Sequence, residues 1–371
     1  MRVGVRVLHA AQPTTGGVAH YLSALVEDQV RRGYDVIVAC PSEGNLSAAV
    51  RDCGARQIAW PARRSPGLSV GPETIGLKRV VSAAAPEVLH LHSSKAGLAG
   101  RLADRRRHPT IFQPHGWSWL AVNGAVAALS RQWERTGARW CDRLLCVSDA
   151  ERDLGSSIGI RADWEVIPTG VDLRRFTPVD EGRRIEIRAG LPVPAGPLAV
   201  CVGRFTEAKG QDLLMAAWPR IRAQAPDAQL AMVGDGAPSG AAPGADSGIH
   251  LVGQRADVEH WYAAADVVVI PSRWDAMSLS LVEAAACGRP VVATDVPGAR
   301  EVLGDSERGT VIAPGDQPAL VNAVVTALLD RERSESVGTA LGSWAAAHVD
   351  RRLQFERISG LTEELAQRPR R

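Results

Sequence analysis

Residues 270–294 read I-P-S-R-W-D-A-M-S-L-S-L-V-E-A-A-A-C-G-R-P-V-V-A-T. The apolar run Val267–Ile270 leading into this stretch predicts a buried strand. Ser278–Cys287 has the composition of a helix, which Gly288 and Pro290 stop before a second apolar strand begins. Strand, helix and strand at this spacing form a βαβ unit, which requires a parallel sheet with helices packed over it. Two carboxylates mark the unit: Asp275 in the loop before the helix, and Glu283 eight residues later. Eight helical steps advance about 12 Å and return to within about 80° of the same face. That separation is too wide to share one proton or one metal, and it suits the two ends of an extended ligand. Between the acids lie the free N–H groups of the first turn, around Met277, Ser278 and Leu279, an anion site. The ligand this describes is hydroxyls, then phosphate, then hydroxyls, the outline of a nucleotide-activated sugar.

Working outward, 371 residues suffice for two domains with separate cores. Alternating strand and helix patterns make the chain α/β. A net charge of +2 gives no electrostatic case for nucleic acid. No apolar run reaches the ~20 residues that span a bilayer and no signal-peptide pattern opens the chain, so a soluble cytoplasmic protein is expected. The six cysteines show no C-x-x-C and no metal-ligand rhythm, and most fall in apolar segments as small hydrophobes. Only three lysines, Lys78, Lys95 and Lys209, stand against forty arginines. A lysine in such a chain marks a place where a compact ammonium is wanted, or has survived by chance.

Five further stretches carry chemistry-bearing residues. Gly16-Gly17 sits at a strand-to-helix turn, where missing side chains let backbone N–H groups approach an anion; as a motif it is weak, and a plain tight turn explains it equally well. The strand Val88–Leu91 ends in H-L-H-S-S-K-A-G. There His90 and His92 share a face with no third metal ligand nearby in sequence, so no metal is expected. Lys95 opens a helix, the unfavourable end for a cation, which implies a nearby anion or a solvated side chain. After the strand Thr110–Gln113 comes P-H-G-W-S-W, whose His115 is the best-placed imidazole in the chain. Trp117 and Trp119 beside it either stack on a sugar or acceptor or belong to the core. The strand Leu198–Val202 runs into G-R-F-T-E-A-K-G, placing Arg204 and Lys209 on a loop where two cations can meet a diphosphate. Arg255 follows a later strand. Phe176–Pro197 reads as a linker, Pro219 should kink its helix, and the glycine-rich run Gly234–Gly248 reads as a loop. Terminal helices are expected at Pro318–Asp330 and Trp344–Ala366, with a frayed tail, Arg368–Arg371.

The acid, seven residues, Glu-Ala arrangement between P-S and C-G-R-P-V-V-A-T resembles the signature of the retaining glycosyltransferases of family 4. So do G-R-F-T-E-A-K-G and I-P-T-G-V-D, the latter with Thr169 where the family has Asn. The resemblance covers nearly the whole chain and implies the GT-B fold: two doubly wound Rossmann-like domains facing across a cleft. Residues 1–178 would form the acceptor-side domain and 179–348 the nucleotide-sugar domain, with 349–371 a helix crossing back to the first. It implies that Asp275 contacts the donor sugar and Glu283 the ribose. Arg204 and Lys209 would hold the diphosphate with Gly16 and Gly17 near it, Arg255 would lie by the base, and His115 in the cleft beside the sugar. The departure is Asp275, where the family usually has Glu.

The implied reaction moves a sugar from a UDP- or GDP-sugar to an acceptor hydroxyl with the anomeric configuration retained. No cofactor is implied and, without a D-x-D motif, no metal. The H-S-S-K-A-G and P-H-G-W stretches resemble enzymes of cell-surface polysaccharide and glycolipid synthesis. The acceptor is then a glycan, a lipid-linked sugar or a small molecule, with Lys95, Trp117 and Trp119 on its side. Arg101 and Arg105–Arg107, ending a helix, would either touch anionic lipid at the inner face of the cell membrane or complement that helix's C-terminus. Two other readings are a hydrolase or epimerase of nucleotide sugars and a non-catalytic nucleotide-sugar binder.

Overall fold

The computed structural model describes residues 4–64, 67, 69–238, 243–305 and 307–368. The chain forms two compact units: Met1–Ile167 with Gln354–Arg371, and Pro168–Leu353. The first holds a seven-stranded sheet of β1 (Arg6–Ala11), β2 (Asp35–Cys40), β3 (Arg56–Ala59), β4 (Val88–His92), β5 (Thr110–Gln113), β6 (Arg143–Cys146) and β7 (Trp164–Val166). Its order is β3-β2-β1-β4-β5-β6-β7, every neighbour parallel. The second holds β8 (Leu198–Val202), β9 (Gln229–Val233), β10 (Ile249–Gly253), β11 (Val267–Ile270), β12 (Val291–Thr294) and β13 (Thr310–Ile312), in the order β10-β9-β8-β11-β12-β13, again parallel. The central strands are covered on both faces, which is why they read as unbroken apolar runs: Val267, Val268 and Val269 are all fully buried. Each sheet reverses its winding once, at β1/β4 and at β8/β11.

Three sequence expectations are corrected. Phe176–Pro197 is not all linker: Glu181–Gly190 is a helix, started by Asp180, whose carboxylate accepts from the Arg183 N–H at 2.8 Å, and seated by buried Ile187. The helix expected at Trp344–Ala366 is two, Arg331–His348 and Arg351–Ala366. Between them Val171 donates to the Val349 carbonyl and accepts from Arg351 N–H, and a backbone engaged in that bridge cannot stay helical. The same bridge, with the Thr169 hydroxyl donating to the Met277 carbonyl, draws 168–178 into the second unit. The boundaries therefore fall at 167/168 and 353/354, where 178/179 and 348/349 were expected. Pro219 lies inside the helix Gln211–Arg222, which runs on past it; Leu214, Ala217, Trp218 and Ile221, all fully buried, offset the lost N–H. Part of the Gly234–Gly248 run (239–242) and most of the expected frayed tail (369–371) lie outside the described residues.

From Gln354 onward the last helix belongs to the first unit. Phe355, Ile358, Leu361 and Leu365 pack with Tyr21, Leu25, Val88, Ile111 and Leu145, and Tyr34 donates to Glu363 at 2.6 Å. Phe355→Ala should cost about 3–5 kcal/mol by opening a cavity under this face. Hydrogen exchange should then rise in Gly17–Arg31 and β4–β6 while Gln211–Arg222 keeps its protection; unchanged exchange in the first unit would contradict this packing.

Candidate active site

In the second unit the chain leaves β8 at its carboxyl end, and Gln211, nearly fully buried, holds the loop by donating to the carbonyls of Gly203 (3.1 Å) and Arg204 (2.8 Å). A 3-10 turn, Glu207–Lys209, ends in Gly210 at φ +65, whose missing side chain lets the backbone meet the Pro271 carbonyl oxygen; a Cβ there would strike it. Arg273 fixes the facing loop by forking onto Asp212 at 2.6–2.7 Å. The close approach sets the Lys209 ammonium 2.6 Å from Asp275 and 3.4 Å from the Ser278 hydroxyl. Ser278 precedes the helix Leu279–Ala286 with no side-chain cap and no acid in its first turn, and Met277, buried beside it, has its carbonyl tied to Thr169. Thr169 thus fastens the loop that carries Asp275.

Further along that helix the partly buried Glu283 accepts from Tyr262 Oη at 2.9 Å, and burial lifts its carboxyl to about 7. Arg204, Lys209, Asp275, Met277, Ser278, Leu279 and Glu283 are thereby set on two adjoining strand ends and the helix between β11 and β12. Arg255 forks onto Asp257 at 2.9 Å and lines a pocket with Ile187, Pro192 and His260.

In the first unit Gly16, at φ +76, precedes the helix Gly17–Arg31, whose first turn holds no acid, so Gly16 and Gly17 open a helix N-terminus free for an anion. Lys95 is corrected. It is buried and bonded to the Glu73 carboxylate at 2.9 Å, so the anion implied by its position is the protein's own. Trp117 and Trp119 are corrected too. They are buried in the core, stacked on each other with centroids 4.6 Å apart, and Trp117 donates to the Glu151 carbonyl. Arg101 is fully buried against Glu134 and so not available to lipid, whereas Arg106, bonded to Asp142, is half-buried and Arg105 and Arg107 stand exposed.

His115, half-buried, holds a left-handed backbone at φ +54, as does Ser93 at φ +65. Such strain in residues with a Cβ concentrates at functional sites. The third histidine that sequence spacing did not show near His90 and His92 comes from β1: His9, His90 and His92 have ring nitrogens within 4.8 Å of one another, all buried. His90 and His92 stack at 4.0 Å with planes 27° apart, and His9 and His92 share a 2.9 Å hydrogen bond. Sequence reasoning missed His9; the available signal was a polar residue facing the same side of a neighbouring strand.

Residues 15–175 match the family model described as Glycosyltransferase Family 4, and residues 196–330 the one described as Glycosyl transferases group 1. The GDP-mannose-dependent alpha-(1-6)-phosphatidylinositol monomannoside mannosyltransferase of Mycolicibacterium smegmatis is 31% identical, over 94% of this chain and 95% of that one. The D-inositol 3-phosphate glycosyltransferase of an Arthrobacter species is 34% identical over 98% and 94%. Among solved structures, sucrose-phosphate synthase from Thermosynechococcus elongatus superposes with a TM-score of 0.80 at 22% identity, covering 97% of this chain and 98% of that one. Anabaena HepE bound to UDP and glucose gives 0.79 at 20% identity, covering 97% and 99%. The paired parallel sheets, their strand-end clusters and these likenesses agree: the chain belongs to glycosyltransferase family 4, a glycosyltransferase with the GT-B fold.

Proposed function

We propose that the enzyme transfers a hexose, with GDP-mannose the first donor to test, to a hydroxyl of an inositol-bearing acceptor, with the anomeric configuration retained. The observation that carries the reading is the Lys209–Asp275–Ser278 cluster at the carboxyl ends of β8 and β11. It offers a cation, an acid and a hydroxyl together, beside helical N–H groups. Lys209, Arg204 and the N–H groups of Met277, Ser278 and Leu279 would take up the charge that grows on the diphosphate as the glycosidic bond breaks. Asp275, held by Lys209, would orient the sugar hydroxyls, and Glu283 the ribose. The leaving phosphate would accept the proton of the attacking hydroxyl on the same face, so no protein nucleophile or metal is required. The acceptor rests on two relatives whose acceptors both contain an inositol ring, one lipid-borne and one free. Among the described residues no helix is long and apolar enough to cross a membrane. For a lipid acceptor the surface we assign is the helix Gly124–Gly137, where Val126 and Leu129 stand exposed.

Lys209→Ala should lower turnover by about 10²-fold or more, the usual effect of losing a charged contact made in the transition state. GDP- and UDP-sugars assayed with inositol phosphate, with phosphatidylinositol vesicles and with no acceptor would check both variant and substrate. Parent-like turnover would remove Lys209 from this role, and equal nucleotide release without acceptor would refute transfer.

Glu283 gives a second expectation. Its carboxyl titrates near 7 in the fold but in the ordinary carboxylate range once unfolded. Between those values the folded chain holds a proton that the unfolded chain has released, so stability declines as pH climbs through that window. Glutamine escapes this penalty and still accepts from Tyr262. Glu283→Gln should therefore melt above the parent at pH 8 and level with it at pH 5, while binding nucleoside diphosphate about tenfold more weakly at pH 8. Parent binding should weaken as pH falls below about 7, where the acid is protonated. Calorimetric titration and thermal melts at the two pH values would test all three points.

A further inference from the structure

Behind His115 lies a row of rings. Parallel register sets His9 beside His90 and Ala11 beside His92, so the histidines of β1 and β4 share one face of the sheet. Gln29, on the helix Gly17–Arg31 that covers this face, has Oε1 2.7 Å from His9 Nε2. His9 Nδ1 is 2.9 Å from His92 Nε2, and His92 Nδ1 is 3.1 Å from His115 Nε2. Gln29, His9 and His92 are fully buried.

A neutral imidazole has one N–H and one bare nitrogen, so in such a row each hydrogen bond dictates the next. With the Gln29 amide set as it is here, its carbonyl oxygen facing His9 can only accept, so His9 carries its proton on Nε2 and leaves Nδ1 bare. His92 then donates from Nε2 and receives at Nδ1, and His115 donates from Nε2. We propose that Gln29, His9 and His92 are positioning residues that fix His115 as its Nε2–H tautomer, leaving Nδ1 bare to accept from a substrate hydroxyl. The last step rests on the reading that His115 lies beside the bound sugar; the relay itself does not. Burial supports the neutral state, pushing His9 down to about 4 and lowering His92 and His115 as well. What passes along the row near neutral pH is therefore the side of the ring that bears the proton, not a charge.

His90 supplies an internal control. Its Nε2 lies 3.2 Å from Gln113 Oε1, and Gln113 donates in turn to Tyr21 Oη at 3.1 Å, a branch that Gln29 does not touch. Two-bond proton–nitrogen correlation spectra of the 15N-histidine-labelled protein report the protonated nitrogen of each ring. In the parent, His9, His92 and His115 should all be Nε2–H. In Gln29→Leu the acceptor is gone, and a buried N–H without a partner is worse tolerated than a bare lone pair. The row should then reverse to Nδ1–H at all three rings while His90 stays Nε2–H. Transfer by that variant should drop about tenfold in kcat with donor KM little changed, the size of one lost transition-state hydrogen bond. Nδ1–H at His115 in the parent, mixed tautomers along the row, or a His115 unmoved in Gln29→Leu would overturn the relay. A tautomer change with unchanged transfer would leave the relay standing and remove His115 from the reaction. The parent spectrum needs no variant, so the first half of the test holds even if Gln29→Leu does not fold.

Discussion

The second unit's site depends on one close approach, that of the Gly210 backbone to the Pro271 carbonyl. Any side chain at 210 would force the loops after β8 and β11 apart, and with them Lys209 from Asp275. Those loops are also tied by Arg273 to Asp212 and to the carbonyl of Glu207, so the contact is fixed from several directions before any ligand enters. A charged group held in place in this way does not have to reorganise as charge develops nearby, which is where electrostatic catalysis gains its advantage.

Exposure separates this ion pair from the two buried ones of the first unit. Lys95–Glu73 and Arg101–Glu134 are almost entirely dry, with side-chain exposures of 4% or less. Removing one partner from such a pair strands the other charge, so these pairs specify the packing of the first unit and cannot be lent to a ligand. Lys209 and Asp275 retain 28% and 21% exposure. Water already takes part of their solvation, so a phosphate or a sugar hydroxyl can replace it without leaving either charge stranded. The chemistry of lysine is the same at 95 and 209; the surroundings decide which is structure and which is site.

That distinction explains what the sequence showed and what it hid. Runs such as Val267–Ile270 and Leu198–Val202 are legible because a strand covered on both faces must be apolar throughout. The strand-end motifs are legible because their residues are neighbours along the chain, joined within one βαβ unit. Lys95, Trp117 and Trp119 misled because their partners lie elsewhere: Glu73 sits on a helix that no local pattern links to Lys95, and the stacked tryptophans are held in the core by Trp117's bond to the Glu151 carbonyl and its contact with Trp164. The helix Glu181–Gly190 was hidden by its charge, since only Ile187 of its ten residues is buried. His9 offered only its polarity as a signal, because the register of β1 on β4 that sets it beside His90 is a tertiary fact.

Both units place their costly groups at the same topological point. Each sheet reverses its winding once, and the loops leaving the two strands at that reversal turn to opposite sides, opening a crevice at the carboxyl ends. In the second unit Lys209 and Asp275 follow β8 and β11. In the first, Gly16 and Ser93, both with positive φ, follow β1 and β4, and His115 follows the adjacent β5. A polar row of His9, His90 and His92 inside a sheet core is expensive against the apolar residues that fill the same face elsewhere, such as Val88 and Ile111. It is tolerable only because nearly every polar atom in it finds a partner in the row. His90 Nδ1 and Gln29 Nε2 do not. A fold seeking stability alone would have filled these positions with valine, as it did in β11; that the row ends on a strained histidine at the strand edge gives its expense a purpose.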